Sequence, residues 1–318
     1  MPEPFALPWA QRLLCDNRTV PSGVASEEYE STLRLFGPQE PHSGIAAFWE
    51  RAVLPLLDAA SPRVIVEIGT LRGETTELLC ALTAKTQGVV HSIDPSPGPE
   101  FDADALTARF GEGFVFHRRL SLEALGSIER MDAVLVDGDH NWYTVYNELK
   151  LLEARAAKDR HPFPLTLLHD TEWPYGRRDL YYDPETIPDD ARHPYRQGGL
   201  VPGRKLVSKN LGFMTKAPTA VEENTPRNGV RTAVEDFLAE CPLDLIARHL
   251  PGFSGLSIIV PAERLGKNDA LRRVLDDFDS AEWLREHCKR LEAARVYFQA
   301  QASRLRRELG ESRAAAAS

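Results

Sequence analysis

Apolar residues recur along this chain with two periods. Short β-branched and aliphatic runs at 64–68, 89–93, 114–116, 133–136 and 165–168 stop near glycine, acid or histidine. Runs of that kind are strands buried on both faces. Between them, 74–86 and 141–157 carry apolar side chains at helical spacing. Leu78, Leu79 and Leu82 mark the first stripe, and Val145, Leu149 and Leu152 the second. Strands alternating with helices predict an α/β fold: a doubly wound, mostly parallel sheet with helices on both faces. Residues 230–239 return to helix, and 256–260 form a late strand.

The rhythm breaks at 171–228, which is rich in Pro, Gly, Tyr and Arg. A long irregular insertion in a compact domain is a binding loop or a disordered segment. Its aromatics, among them Trp173, Tyr175, Tyr181, Tyr182 and Tyr195, favour an ordered flap, because disordered segments are poor in them. Residues 1–60, with a helical stretch at 45–57, read as an N-terminal helical cap. Residues 61–262 read as the main domain and 263–318 as a charged helical extension. There Leu284, Leu291, Phe298 and Leu305 recur every seven residues over about three heptads, like half of a coiled-coil seam. His287 and Gln301 interrupt the other half. The helix either pairs with a partner, a second copy included, or packs on its own domain.

At 318 residues the chain has room for one large α/β domain with appendages, or for two domains. Its 38 basic and 47 acidic residues give a formal charge of −9. That argues against a nucleic-acid partner, since phosphate binding needs a local basic excess. Cys15, Cys80, Cys241 and Cys288 are scattered without a C-x-x-C pair. The expectation is a reducing cytoplasm rather than a disulfide framework or zinc site. No signal peptide is visible, and no apolar run approaches the ~18 residues of a membrane span, so no membrane partner is expected.

Two strand ends carry chemistry. Glu67-x-Gly69-Thr70-x-x-Gly73 follows the first strand. Gly69 would let backbone approach a ligand there, and Gly73 would let the next helix start close by. The G-x-G-x-x-G nicotinamide fingerprint is absent. Asp94, closing the second strand, could accept both hydroxyls of a ribose. The other reading is a tight strand–helix turn with no ligand, and Asp94 behind the loop weighs against it. Ser121 either flanks an adenine ring or caps a helix. The second centre is Asp137-Gly138-Asp139-His140 with His169-Asp170, on strand ends that should adjoin. Carboxylates converging with imidazoles suit Mg²⁺ or a similar divalent ion. Alternatively, Asp137 or Asp139 is a turn or helix-cap acid and His169 a satisfied core histidine.

Taken in order, VEIGTLRGETT (66–76), HSIDP (91–95), LVDGDHNWYTVYNEL (135–149), LLHDT (167–171) and NGVRTAVEDFL (228–238) resemble class I S-adenosylmethionine-dependent methyltransferases. Within that group they look most like the branch of the macrocin and mycinamicin sugar O-methyltransferases and the cephalosporin hydroxylases. The resemblance covers about 64 to 260. It implies a Rossmann-like fold, with Glu67, Gly69, Thr70, Gly73, Asp94 and Ser121 around S-adenosylmethionine. It implies Asp137 beside the cofactor and, with Asp170, as a metal ligand, Asp139 or His169 assisting. It implies His140 as general base and methyl transfer to a sugar or other small-molecule hydroxyl. Trp173, Tyr175 and Tyr182 would close over the acceptor. There are two departures. His169-Asp170 stands where many relatives carry two consecutive acids, and the insertion is long for the family, so acceptor identity does not carry over. The rival readings are a cofactor-fold protein with different chemistry and a non-catalytic scaffold in glycan or natural-product assembly. Gly69, Asp94, Asp137, His140 and Asp170 together speak against the scaffold.

Overall fold

The structure, a computed structural model, describes residues 44–317 apart from 160, 210, 211 and 215. The expected cap before residue 44 therefore lies outside the described residues. Of the described residues, those up to Cys288 form one compact unit and those from Lys289 onward belong to a second. In the first, a 3₁₀ turn (Gly44–Phe48) and a π turn (Trp49–Val53) lead into helix α1 (Leu54–Ala60). Then β1 (Val64–Ile68), α2 (Glu74–Ala84), β2 (Val89–Ile93), α3 (Ala103–Phe110), β3 (Phe114–His117), α4 (Ser121–Ala124), β4 (Ala133–Val136), α5 (Trp142–Asp159) and β5 (Leu165–His169) alternate as expected. The insertion contains two short strands, β6 (Tyr195–Gln197) and β7 (Pro218–Ala220). After it come α6 (Val230–Glu240), β8 (Leu245–Leu250), β9 (Leu256–Pro261), α7 (Ala262–Lys267), α8 (Asp269–Asp277) and α9 (Ala281–Ala317).

The main sheet has seven strands in the order β3-β2-β1-β4-β5-β9-β8. β1 to β5 pair parallel, and β9 runs antiparallel to both β5 and β8. This is a Rossmann-like, doubly wound α/β fold with an antiparallel edge. The chain reverses its winding between β1 and β4, and such a switch point opens a crevice at the carboxyl ends of the strands. β8 was not anticipated from the sequence. It is an edge strand whose Arg248 and His249 are exposed, so it lacks the continuous apolar run of the buried strands.

Alternate residues of each central strand feed two cores. Ile65, Leu135, Leu167 and Ile258 point to one face and pack with α1, α2 and α8 side chains such as Leu56, Leu79 and Leu271. Val66, Val134, Leu168 and Ile259 point to the other and meet Val145, Leu149 and Phe237 of α5 and α6. Residues 44–60 belong to the first core, through Ile45, Phe48, Val53 and Leu57. On α9 the heptad residues Leu284, Phe298 and Leu305 are each more than half exposed. The buried stripe of that helix is the one carrying Trp283, His287 and Ala294.

The insertion is ordered by buried polar groups rather than by secondary structure. Arg178 is fully buried and donates to the carbonyls of Ala220 (2.5 Å), Val221 (3.0 Å) and Lys205 (2.6 Å), with Glu223 beside it at 3.4 Å. Asp179 accepts from the amides of Trp142 and Gly229, both at 2.7 Å, and from the Tyr181 hydroxyl at 2.9 Å. One carboxylate thus ties the start of α5 to the residue before α6. Replacing it with alanine leaves two amides and a phenol without their acceptor, each worth ~1–3 kcal/mol when buried. Asp179→Ala should lower unfolding free energy by about 3 kcal/mol or more in urea titration. A loss below about 1 kcal/mol would show that the insertion is held by something else.

Candidate functional site

Gly69 is where the site begins. Its φ is +90°, and an added Cβ would stand 2.2 Å from the Asp137 carbonyl oxygen. The Gly69 amide donates to Ile93 O (2.9 Å), and the Asp137 amide donates to Ile68 O (2.8 Å). The structure adds a second demand on this glycine: a close approach between the ends of β1 and β4. Gly73 (φ +85°) starts α2, and a Cβ there would meet the Phe101 ring at 2.9 Å.

Asp94 folds back on this loop. Its Oδ2 accepts from the Thr70 amide and hydroxyl, both at 2.9 Å, and its Oδ1 from the Ser96 amide at 2.8 Å. Glu67 is buried beneath. Its Oε2 accepts from the hydroxyls of Thr76 (2.6 Å) and Ser92, while its Oε1 has no partner among the described residues. Burial pushes this carboxyl up to about 7, against the pull of those hydroxyls. Ser121 is buried at the start of α4. The sequence did not single out its neighbour Glu148, an acid inside the apolar face of α5. Burial drives Glu148 up to about 8; the Ser121 hydroxyl pulls the other way but completes no hydrogen bond to it.

The second group gathers at the ends of β4 and β5. His169 Nδ1 lies 3.0 Å from Asp137 Oδ1 and 3.0 Å from Asp170 Oδ2. Ligand atoms of these three residues all lie within 4.8 Å of one another. Asp137 Oδ2 also accepts from the Ile45 amide at 2.9 Å. Asp170 holds a left-handed backbone (φ +57°), uncommon outside glycine but tolerated by aspartate. Burial lowers the pKa of His169, but Asp137 and Asp170 outweigh it and hold the imidazole well above its usual value. Asp170 is held low by His140 and His169 against the opposing effect of its burial. In the protein alone, a proton on Nδ1 therefore offsets two carboxylates, the work a divalent cation would do at that point. The donor set, two carboxylate oxygens and one imidazole nitrogen, fits such an ion.

His140 faces the same point. Its Nε2 is 3.1 Å from Asp170 Oδ2 and 3.8 Å from Asp137 Oδ1. Its ring lies between those of Tyr175 (5.1 Å) and Tyr182 (5.4 Å), and its Nδ1 is buried without a partner among the described residues. Asp139 is not brought into the cluster. Its Oδ2 accepts from the Thr144 hydroxyl at 3.0 Å, at the head of α5, where Asn141 Oδ1 also accepts from the Thr144 amide at 2.8 Å. Of the flap aromatics, Tyr175 is buried and Tyr182 is 60% exposed, both beside His140. Trp173 turns outward against Phe213, ring centroids 6.2 Å apart. No sequence signal marked Phe213.

Residues 66–161 match the family model described as a methyltransferase domain. That span holds the loop after β1, Asp94 and Asp137 to His140; His169 and Asp170 lie beyond it. The match is to the domain at large and names no branch. No curated protein matches the chain. Among solved structures, the chain is similar to SAH-bound PaMTH1, a methyltransferase of Podospora anserina, with 17% identity, 82% of this chain and 98% of that one covered, and a TM-score of 0.40. It is similar to an O-methyltransferase from Bacillus cereus in complex with SAH (17% identity, 80% and 97% covered, TM-score 0.38). It is also similar to TomG of Streptomyces achromogenes, an O-methyltransferase involved in tomaymycin synthesis, in complex with SAM (16%, 79% and 94%, TM-score 0.37). At these scores none of them carries an argument about the chemistry of this chain.

The buried acids give the protein a pH signature. Unfolded, Glu67 and Glu148 release their protons near the ordinary 4.5; folded, they hold them to about 7 and about 8. Their contribution is full below 4.5 and is lost as pH rises through those values. Glu67 alone accounts for ~3 kcal/mol of that decline. Stability measured by urea titration should fall between pH 5 and 8. Combining Glu67→Gln with Glu148→Gln should flatten the fall; a wild-type stability that rises across this window would contradict the assignment.

Proposed function

We propose that this chain is an S-adenosylmethionine-dependent O-methyltransferase, assisted by a divalent cation such as Mg²⁺, acting on a hydroxyl of a sugar or other small molecule. One observation carries the reading. The Gly69–Asp94 cradle and the Asp137–His169–Asp170 cluster sit on adjoining strand ends, joined by the contact of Gly69 with Asp137. The methyltransferase-domain match over 66–161 supports it.

Each residue has a task in that reading. Asp94, half-buried and already accepting from the Thr70 amide and hydroxyl and the Ser96 amide, keeps one lone pair on Oδ1 for a ribose hydroxyl. Glu67 Oε1 and the loop after Gly69 bound the methionyl end. Asp137, His169 and Asp170 hold the cation. A hydroxyl of pKa ~15 lies about 8 units above neutrality, or ~11 kcal/mol, beyond what one imidazole supplies. The cation, when bound, lowers the acidity gap of a hydroxyl that touches it. His140 then removes the proton as the methyl group passes from sulfur to oxygen, a general-base contribution of ~10²–10⁴-fold. The products are the methyl ether, S-adenosylhomocysteine and a proton on His140. Tyr175 and Tyr182 hold the His140 ring and screen it from water.

Calorimetric titration of S-adenosylhomocysteine should show one site of micromolar affinity, abolished by Asp94→Ala. Absence of binding to the wild type would move the scaffold reading to first place. With an acceptor in hand, His140→Ala should cut turnover by about 10² or more while cofactor affinity stays unchanged. Equal loss of both would remove His140 from the role of base.

A further inference from the structure

The antiparallel return of β9 brings a tight turn to the carboxyl edge of the sheet. Leu256 pairs with His169, so the turn from Pro251 to Gly255 lies directly beside the metal-binding cluster. Four consecutive residues of it are left-handed: Gly252 (φ +80°), Phe253 (+46°), Ser254 (+66°) and Gly255 (+84°). Two of the four are not glycine, and such a conformation persists only where the surroundings impose it. The Glu172 amide donates to Ser254 O (2.7 Å), and the Gly252 amide to Glu172 Oε2 (3.2 Å). On the other side, His287 Nε2 donates to Pro251 O at 2.6 Å.

The turn in turn acts on His169. Phe253 O accepts from His169 Nε2 at 2.7 Å. A carbonyl can only accept, so the proton must sit on Nε2. That leaves Nδ1, the atom facing Asp137 and Asp170, as the nitrogen able to offer a lone pair to a cation. Without the carbonyl, a neutral ring could carry its proton on Nδ1 and satisfy the two carboxylates itself, in competition with the ion. A hydrogen bond on the far nitrogen of a ligating histidine commonly fixes its tautomer in this way.

His287 is built to hold that carbonyl in place. It is 3% exposed and stacks on Trp283 (4.6 Å) and on Phe48 (5.9 Å). The Phe253 ring stands on its edge at 5.7 Å and also meets Phe48 at 5.8 Å. Trp283 is anchored through its Nε1 to Arg51 O at 3.0 Å. We propose that His287 is a positioning residue for the metal centre. Through the Pro251–Gly255 turn it fixes the Phe253 carbonyl, which holds His169 with Nδ1 turned to the cation. This rests on the metal-centre reading given above.

The test is Mn²⁺ titration of the full chain by calorimetry. His287→Phe keeps a stacking ring and loses the donor; His287→Gln keeps a donor and loses the ring. His287→Phe should weaken Mn²⁺ binding about tenfold or more with S-adenosylhomocysteine affinity unchanged, and His287→Gln should retain most of the wild-type affinity. Asp170→Ala should abolish Mn²⁺ binding. A wild type that binds no Mn²⁺, or an Asp170→Ala variant that binds it normally, overturns the metal-centre reading itself. If those two behave as expected and His287→Phe binds Mn²⁺ like the wild type, only the positioning role falls. Should His287→Phe fail to fold, ¹⁵N-histidine spectra of the Mg²⁺-loaded wild type decide, with the His169 signal identified by its loss in His169→Gln. A ring protonated at Nε2 and bare at Nδ1 is expected; a proton on Nδ1 overturns the proposal.

Discussion

The passage of Gly69 over the Asp137 carbonyl is the constraint on which the site depends. Two parallel strands meet there with no room for a side chain, and each then sends its loop in a different direction. The loop after β1 turns toward Asp94; the loop after β4 carries Asp137 and His140 toward β5. A wider crossing would separate the cradle from the acid cluster. The geometry of both halves is therefore set by backbone contact, before any ligand enters.

Charge is arranged with equal economy. Asp137, Asp170 and His169 form a largely buried group whose two carboxylates converge on Nδ1 and call for positive charge there. Removing one member from such a group leaves an uncompensated buried charge, which is far more costly than its surface equivalent. Glu67 and Glu148 show the opposite solution: deep in apolar surroundings, they keep their protons to about 7 and about 8. Two buried acids thus keep their protons into the neutral range, while Asp170 is held ionised by the imidazoles beside it.

The parallel core was legible because its strands are continuous β-branched runs, and such runs have few other uses. The acid cluster was legible because Asp137 and Asp170 close adjacent strands. Other features were hidden for physical reasons. β8 is an edge strand with charged residues, so its pattern resembles a loop. Asp139 and Asp137 look equivalent in sequence, and only the Thr144 hydroxyl at the head of α5 turns one of them away. The crossing of Gly69 over β4 could not be read, because that contact is with backbone far along the chain. The aliphatic seam of α9 stays on the exposed face, while within the chain the helix buries the stripe of Trp283 and His287, whose aromatic surface no heptad count weighs. The order within the insertion rests on Arg178 and Asp179 bonding to backbone groups, which no periodicity reveals.

Asp179 gives that insertion an unusual economy of attachment. Lying near one foot of the excursion and accepting the amide of Gly229 at the other, it draws the two together and, through Trp142, fastens them to the head of α5. Once the feet are fixed, loop length matters little thermodynamically: doubling the excursion costs only about 0.6 kcal/mol in closure entropy. The stretch beyond the clamp can therefore grow, shrink or be exchanged with small effect on the fold. The molecule behaves as a socket with an interchangeable head, in which the carboxyl edge of the sheet stays fixed while the excursion above it is free to vary.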